Sequence, residues 1–565
     1  MAPFSPRPIG HFGGPAIGPP PRLPGWILIG LCVALTGCAA LTPLPPDPDR
    51  RTLALVDRAV RRAGAGDAAY ARVKGFPYLR VDRFLAAKIP PAPPLETGGE
   101  KENPPFAKGD VGGFSGAKPS PADSNTREAR KTAWLRALRE LDRAARAREI
   151  ANLPEAAMEA LRERLGIGAG RGALLSTTMN AGDRLLETEA ASPGAFARIV
   201  QNARVPSEYS LALRTAGVYP ATVWPVAFVT WRVNQRFMGW HQKPETAPAL
   251  RGKRVAFGPA DAERMSAAKR GRLFAPENRD PLGRPVLTEA EETSLFHHFA
   301  PVFAVDIAAP YDRPGQVIWN GPAAAVDARF PTIYTYRTHG FFQGETAVRL
   351  HYVIWFPARN GPVPAAYEHG HLDGLTVRVN LDPAGRPFMV DVMNNCGCYH
   401  FYVPDGERLA ETISRPLRLD PFVPTTLPAG FPKRRLVLDV MSSWHQVYRI
   451  STAEEERYEN RYEFRPYRVL ESLPRPDGSR ESLFRPDGIA KGTERIEPLL
   501  FFPMGVPDVG AMRQRGHHAI AFVGRDHFDD PHLFERHFQF SPVSPNRTPT
   551  VVTPSSEVSS QISPP

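Results

Sequence analysis

The sharpest cluster of reactive side chains in this 565-residue chain is Cys396-Gly397-Cys398-Tyr399-His400. Side chains two residues apart in an extended strand lie on the same face. We therefore expect Cys396, Cys398 and His400 to point the same way. Thiolate and imidazole groups are the ligands that Zn(II) or copper favours. This spacing predicts a Zn or Cu site at these three residues.

Two other states of the cysteine pair stay open. A fully extended i, i+2 pair stands near the ~6.8 Å upper limit of disulfide Cα separation, but Gly397 makes a turn available that would let Cys396 and Cys398 close as a disulfide. The resulting small ring would be strained and easily reduced, which would make the pair redox-active. The alternatives are therefore a structural disulfide or thiols, a metal site, and a thiol-exchange pair.

A metal site would need further groups, and the sequence offers some nearby. His351 or His371 is a possible fourth ligand. A bound metal that keeps one coordination position open supplies an activated water, and Asp391 or Glu368 would then be the base. This hypothesis describes a metal-dependent hydrolase.

Polar residues also interrupt the apolar strand patterns around this cluster. Arg349 and His351 break one face of a strand candidate, and Arg378 and Asp391 do the same in the hairpin that follows. If these strands are neighbours, the four side chains can line one pocket together with the Cys/His group.

The second polar cluster runs from His517-His518 to Asp526–Asp530. The apolar segment between its ends, 519–523, has the pattern of a buried strand. An extended strand of this length separates His518 from the aspartates by roughly 25 Å. We therefore do not expect one metal ion to join the two ends.

Composition and missing motifs exclude several functions. The chain contains no HExxH, no phosphate-binding P-loop and no dinucleotide-binding glycine motif, which argues against nucleotide-dependent chemistry. The net charge of +11 favours anionic surfaces such as lipid headgroups or glycans. Basic residues alternate with acidic ones along the helices, so no nucleic-acid partner is expected.

Hydrophobic periodicity divides the chain into two main regions. Residues 49–290 are predicted to be mainly helical with a disordered, Pro- and Gly-rich insertion at 89–125. Residues 291–540 are predicted to be β-rich, and 541–565 to be a disordered tail. The strand candidates are Val302–Ile307, Thr332–Arg337, Thr346–Phe356, Leu375–Leu381, Phe388–Met393, Arg435–Met441 and His445–Ile450.

The most apolar stretch after the N-terminal segment is Thr222–Phe237. It is too short for a membrane span, which needs roughly 20 apolar residues. We expect a core helix, or a pair of strands broken at Pro225. A segment that lies on a membrane surface is the alternative.

The N-terminal segment has a distinct pattern of its own. A short apolar run begins at Trp26 and closes on Leu35-Thr36-Gly37-Cys38. Its length fits the h-region of a signal peptide better than a membrane span. The segment resembles bacterial lipoprotein signals, in which a motif of this form ends at a lipid-modified cysteine.

This resemblance implies a lipid anchor. Residues 1–37 would be the signal peptide, Cys38 would carry a thioether-linked diacylglycerol and usually a third acyl chain, and 38–48 would be a Pro-rich tether. Ala39 after the cysteine implies transfer to the outer membrane, most simply on its periplasmic side. The CGCYH and GHHAIAFVGRDHF stretches also resemble a bacterial lipoprotein family to which we attach no activity.

The sequence therefore predicts an α+β protein, with a helical N-terminal region packed on an antiparallel β-rich C-terminal domain. The leading functional hypothesis is a lipid-anchored envelope protein that binds a ligand or partner, such as an envelope protein or a glycan. A metal-dependent hydrolase and a thiol-redox protein are the alternatives.

Overall fold

The computed structural model describes residues 43–90 and 121–541, apart from 169, 191, 261–263, 415–417 and 454–457. The signal segment with Cys38 and the predicted tail, apart from Ser541, lie outside the described residues, as do 91–120 of the predicted insertion. The class is α+β, as predicted, with helices mainly in the N-terminal part and strands mainly in the C-terminal part.

The described part of the chain contains twelve α-helices, which we number in chain order. They are α1 (Pro48–Arg62), α2 (Arg83–Ala87), α3 (Pro121–Ala151), α4 (Glu155–Leu165), α5 (Arg171–Ala190), α6 (Pro193–Asn202), α7 (Leu211–Ala216), α8 (Tyr219–Gln242), α9 (Ala267–Leu273), α10 (Glu289–Phe299), α11 (Pro498–Phe501) and α12 (Leu533–His537). The end of the predicted disordered insertion is thus helical, because α3 begins at Pro121.

Ten strands form the main sheet. They are β3 (Lys253–Pro259), β4 (Val302–Ile307), β7 (Thr332–Phe342), β8 (Glu345–Arg359), β9 (Gly370–Leu381), β10 (Pro387–Asn394), β11 (Phe401–Pro404), β13 (Leu436–Val440), β14 (Val447–Thr452) and β15 (Asn460–Pro466). The smaller pairings use β1 (Ala71–Arg72), β2 (Arg80–Val81), β5 (Gln316–Asn320), β6 (Ala323–Asp327), β12 (Leu409–Thr412), β16 (Leu473–Pro474), β17 (Arg480–Glu481) and β18 (Phe538–Phe540).

The main sheet is mixed rather than purely antiparallel. Its strand order is β11-β10-β9-β8-β7-β15-β3-β4-β13-β14. The strands from β7 to β11 form an antiparallel meander, whereas β15 pairs in parallel with both β7 and β3, and β13 pairs in parallel with β4. Strand β3 belongs to this sheet although it lies before residue 291, where the sequence pattern placed the start of the β-rich region.

The long strands β8 and β9 are buried on both faces. One face of β8 and β9 contributes Leu350, Tyr352, Val377 and their neighbours to the largest core cluster. Helix α10 covers this face, and the hydroxyl of Tyr352 donates to the carbonyl oxygen of Phe296 over 2.9 Å. The opposite face packs against the chain around 467–512.

Helix α3 buries its charged side as well as its apolar side. Trp134 and Leu138 lie on its apolar stripe and are fully buried. The charged residues Asp142 and Arg146 lie beside this stripe and are fully buried too. Arg146 Nε donates to Asp142 over 2.8 Å, and Arg80 lies 3.4 Å from the same carboxylate. Ion pairs thus replace solvent on this side of the helix.

The helical region is joined to the sheet region through buried charged contacts. Arg148 Nε lies 3.0 Å from Glu471, and the amide of Gln514 donates to Asp67 over 2.8 Å. Arg515 Nε adds a 2.7 Å hydrogen bond to Glu471. Residues far apart in sequence therefore complete one network between the two regions.

Candidate functional site

The two cysteines lie in a turn, not on a strand. Strand β10 ends at Asn394 and β11 begins at Phe401. Gly397 has a φ of 91° and Tyr399 a φ of 54°, both in the left-handed region. The expectation that Cys396, Cys398 and His400 share one face of an extended strand is therefore wrong. We refer to Cys396, Gly397 and Cys398 as the cysteine turn.

Both cysteines are free thiols that contact each other. The backbone N–H of Cys398 donates to Cys396 Sγ over 3.4 Å. The hydrogen bond from the Cys398 thiol lowers the pKa of Cys396 despite burial, and Arg359 contributes in the same direction. The same hydrogen bond and burial raise the pKa of Cys398 well above its usual range. Cys396 therefore loses its proton readily, whereas Cys398 keeps its proton.

A buried carboxyl group interacts electrostatically with the two cysteines. Glu497 is 6% exposed, and no described residue hydrogen-bonds its Oε2 atom. Burial raises the pKa of Glu497 to about 8, and the neighbouring Cys396 sulfur adds to this shift. Glu497 is therefore largely protonated at neutral pH and can give or take a proton within the physiological range.

We expect Gly397→Ala to destabilise the fold and to disorganise the cysteine turn. A Cβ at position 397 would lie 2.4 Å from the carbonyl oxygen of Ala519, and the positive φ disfavours any side chain. Strain of this kind costs about 1–3 kcal/mol. Chemical denaturation gives the free energy of unfolding. The matched control is Gly271→Ala, which has open space around it in helix α9; equal effects of the two substitutions would contradict the role of the turn.

Next to the cysteine turn, five buried side chains alternate in charge. His445 Nδ1 lies 2.8 Å from Asp373, and its Nε2 lies 3.3 Å from Asp312. Arg359 donates to both carboxylate oxygens of Asp373 over 3.0 Å and to Glu368 over 3.0 Å. We call Asp312, His445, Asp373, Arg359 and Glu368 the ion chain.

The ion chain fixes the protonation states of its members. Burial opposes a charge on His445, but the hydrogen bonds that its ring donates to Asp312 and Asp373 raise its pKa. Burial likewise opposes ionisation of Asp373, yet Arg359 and His445 hold its pKa well below the usual range. With both ring nitrogens facing carboxylates, His445 is a charged donor and is not available as a general base.

Neighbouring side chains hold the ion chain in place and link it to the cysteine turn. The ring of His445 stacks on Phe356 with centroids 4.0 Å apart. Trp444 Nε1 and the hydroxyl of Tyr399 donate to Glu368 over 2.8 and 3.1 Å. Tyr399 follows Cys398 directly. Through its hydrogen bond to Tyr399, the ion chain therefore positions the cysteine turn, and through its ion pairs it also positions Arg359.

The polar residues of the long strands are neighbours, as the pocket hypothesis assumes. His351 pairs with Arg378 across β8 and β9, and Arg378 pairs with Asp391 across β9 and β10. Arg378 Nε donates to Asp391 over 2.9 Å, and its guanidinium group lies 3.7 Å from the ring centroid of Phe528. Arg349, also predicted here, is 1% exposed. The row is a closed polar core, not an open pocket.

The histidines predicted to be metal ligands each contact a different partner. His400 Nε2 lies 2.8 Å from Asp391, and His351 Nε2 lies 2.7 Å from the hydroxyl of Thr338. The ring of His371 hydrogen-bonds to a backbone carbonyl. Across residues 43–90 and 121–541 with the stated gaps, no group of three or more His, Cys, Asp or Glu side chains is arranged to hold a metal ion. The Zn or Cu site stays a prediction.

The two predicted bases are both paired with arginine. Glu368 belongs to the ion chain. Burial opposes ionisation of Asp391, but Arg378 and His400 hold its pKa well below the usual range. A carboxylate with so low a pKa is a weak general base at neutral pH.

The second polar cluster has a different shape from the one predicted. Ala519 and His527 form an isolated antiparallel β-bridge, and the backbone N–H of Phe528 donates to the carbonyl oxygen of His518 over 3.0 Å. The prediction of an extended strand at 519–523 is therefore wrong, because the chain reverses. Its two ends meet, but His518 is turned to the backbone of Asn395.

Sequence patterns alone do not indicate Asp312, Arg359, Asp373, His445 or Glu497 as site residues. The pattern predicts a strand at His445, whereas this residue has a φ of 52° in the turn before β14. The run Ser442-Ser443-Trp444-His445 between two apolar strands was the available signal. Glu497 carries no recognisable motif.

The chain matches no protein-family profile, no curated protein and no solved structure. None of the helices in the described ranges is long and apolar enough to cross a membrane.

Proposed function

We propose that the protein is a thiol–disulfide exchange protein of the cell envelope, with Cys396 and Cys398 as its reactive pair. The single observation that carries the proposal is the hydrogen-bonded thiol pair in a glycine turn, next to Arg359. A pair with a stabilised thiolate has a stabilised reduced form, and this makes its disulfide form an oxidant. The envelope location comes from the signal-like segment that ends at Cys38.

The different burial of the two sulfurs assigns their roles. Cys398 is half-buried, whereas Cys396 is 3% exposed. In the disulfide form, a substrate thiolate attacks Cys398 Sγ, the Cys396–Cys398 bond breaks, and Cys396 leaves as a thiolate. A leaving thiol of lowered pKa departs faster. The backbone N–H of Cys398 and the nearby Arg359 stabilise this thiolate.

A second substrate thiolate completes the reaction. It attacks the substrate sulfur of the mixed disulfide, so the substrate disulfide forms and Cys398 leaves as a thiolate that takes up one proton. The substrate dithiol loses two electrons and the protein disulfide gains them. Glu497, protonated near neutral pH, is a suitable donor of that proton.

The test is the reduction potential of the pair. A Cys38→Ala variant exported to the periplasm is equilibrated with glutathione redox buffers, alkylated and analysed by mass spectrometry. We expect a reversible Cys396–Cys398 disulfide with a midpoint above about −300 mV, the upper bound typical of inert structural disulfides. A lower midpoint, or no disulfide at all, would contradict the proposal.

Single-cysteine variants and metal analysis serve as controls. Cys396→Ser retains the half-buried thiol and is expected to accumulate mixed disulfides, whereas Cys398→Ser retains the buried thiol and reacts more slowly. Elemental analysis of the same preparation, made without chelator, tests the Zn or Cu alternative. About one equivalent of metal that is lost with Cys398→Ser would favour the metal-dependent hydrolase instead.

A binding role remains the second candidate. One specific observation favours it, which is an exposed apolar surface on α8 and α11. The exposure and charge of this surface indicate what kind of partner it binds.

A further inference from the structure

Helix α8 contains the stretch predicted to be a core element, but its first half is exposed. Trp224, Phe228 and Trp231 are 62%, 58% and 50% exposed. Their spacing of four and three residues places them on one helix face, and the rings of Phe228 and Trp231 stack at 6.0 Å. The expectation that this stretch is buried in the core is wrong.

The far end of α8 anchors the helix to the body. Phe237 and Trp240 are buried, and the ring of Phe237 lies 5.6 Å from Trp444 and 5.9 Å from Tyr399. The exposed face is thus presented by a helix that is fixed at its C-terminal end. Its exposure is not the result of a detached segment.

A second element extends the apolar face. In helix α11, Leu499 is 77% exposed and Leu500 is 54% exposed. The turn that follows α11 contacts the α7–α8 corner, where Ser210 N donates to the carbonyl oxygen of Gly505 over 2.6 Å. We call the exposed side chains of α8 and α11, together with Leu211 and Val218 beside them, the apolar surface.

Along α7 and α8, the charge beside the apolar surface has one sign. No acidic residue occurs between Glu208 and Glu245. Arg232 directly follows Trp231, Arg236 lies one helical turn further on, and both arginines are exposed. Glu497 stands beside α11 but is buried. The surface therefore combines exposed Trp, Phe and Leu side chains with neighbouring cations and lacks exposed carboxylates along α7 and α8.

From this combination we infer that the apolar surface lies on an anionic lipid bilayer, with Trp224, Phe228 and Trp231 in the headgroup region. Tryptophan side chains favour this interface. Apolar faces flanked by Lys or Arg bind there through buried apolar area and attraction to anionic lipids. A protein partner or a second copy would not require a cationic border without acids along α7 and α8.

The apolar surface also bears on the cysteine turn. Tyr399 packs against Phe237 at the base of α8, and Glu497 immediately precedes α11. Docking on a bilayer would therefore hold the cysteine turn close to the membrane surface. The inference does not depend on thiol exchange, since it follows from exposure and charge alone.

The experiment uses the full chain with Cys38→Ala, which removes the predicted acyl anchor. Vesicles of phosphatidylethanolamine and phosphatidylglycerol are sedimented with this protein and with a Trp224→Ser/Phe228→Ser/Trp231→Ser variant. We expect the triple substitution to weaken vesicle binding at least tenfold. Vesicles of phosphatidylcholine alone should bind the parent protein more weakly.

The control variant is Phe330→Ser, an exposed aromatic residue outside the apolar surface. It should bind vesicles like the parent protein, and circular dichroism should show that all variants are folded. Equal vesicle binding by the parent and the triple variant, or no binding by either, would overturn the inference. Sedimentation velocity that shows a dimer of the parent and a monomer of the triple variant, without vesicle binding, would assign the surface to a second copy.

Discussion

Asp373→Asn should lower the free energy of unfolding by about 3–5 kcal/mol, the range measured when one partner of a buried ion pair is removed. Asp373 is fully buried and accepts hydrogen bonds from Arg359 and His445. The asparagine keeps the shape but removes the negative charge between two cations. Both cations would then stay buried with less compensation, and chemical denaturation measures the result.

The pH dependence of this effect follows from the two pKa shifts. The lowered pKa of Asp373 means that its contribution is present above the unfolded value of about 3.9 and is lost as pH falls through the folded pKa. The raised pKa of His445 means that its contribution is present below about 6.5 and is lost as pH rises through the folded pKa. The difference between the parent and Asp373→Asn should therefore be largest at about pH 4–6.5.

The matched control is an exposed ion pair. Glu459 faces Lys253 at the surface, where both side chains are largely solvated. Glu459→Gln should change the free energy of unfolding by about 0–1 kcal/mol, as is usual for surface pairs. An Asp373→Asn effect no larger than this one would show that the ion chain does not stabilise the fold.

Glu497→Gln should slow the oxidation of substrate dithiols about 100-fold at pH 7, a modest general-acid contribution. The raised pKa of about 8 keeps Glu497 protonated there, so it can protonate Cys398 as this sulfur leaves. The amide of glutamine has nearly the same shape but cannot donate a proton in this way. Stopped-flow fluorescence with a dithiol peptide measures the rate.

The pH profile separates proton transfer from a purely structural effect. The ratio of parent to Glu497→Gln rates should be large below pH 7 and should approach one as pH rises beyond the Glu497 pKa of about 8, because the parent loses its proton donor. Glu494→Gln, an exposed residue of the same loop, should match the parent at every pH. A ratio that does not change with pH would assign Glu497 a structural role only.

Local sequence pattern was sufficient to predict much of the sheet. Val302–Ile307 was predicted with the bounds that β4 has, and the assumed adjacency of the strands that carry His351, Arg378 and Asp391 is confirmed. These strands follow one another through short connections, so neighbours in sequence are neighbours in the sheet. The parallel contacts of β15 and β13 bring together segments far apart in the chain, and no local pattern specifies such pairs.

The candidate site was harder to predict for the same reason. Cys396 and Cys398 are visible as a motif. Asp312 and His445 come from separate connections and Arg359 from the end of β8, and only the tertiary fold brings them together. The prediction that the apolar stretch of helix α8 is buried was wrong for a different reason. Apolar composition predicts burial in general, yet an apolar face that serves a partner is left exposed.

The buried contacts between the helical and sheet regions have a consequence for the order of folding. Asp67 and Arg148 are synthesised early, whereas Glu471 and Gln514, which complete their network, emerge near the end of the chain. Until then, the early charges have incomplete partners and favour solvent over burial. The N-terminal part should therefore stay loosely folded until synthesis is almost finished, and this delay would suit the export that the proposed envelope location requires.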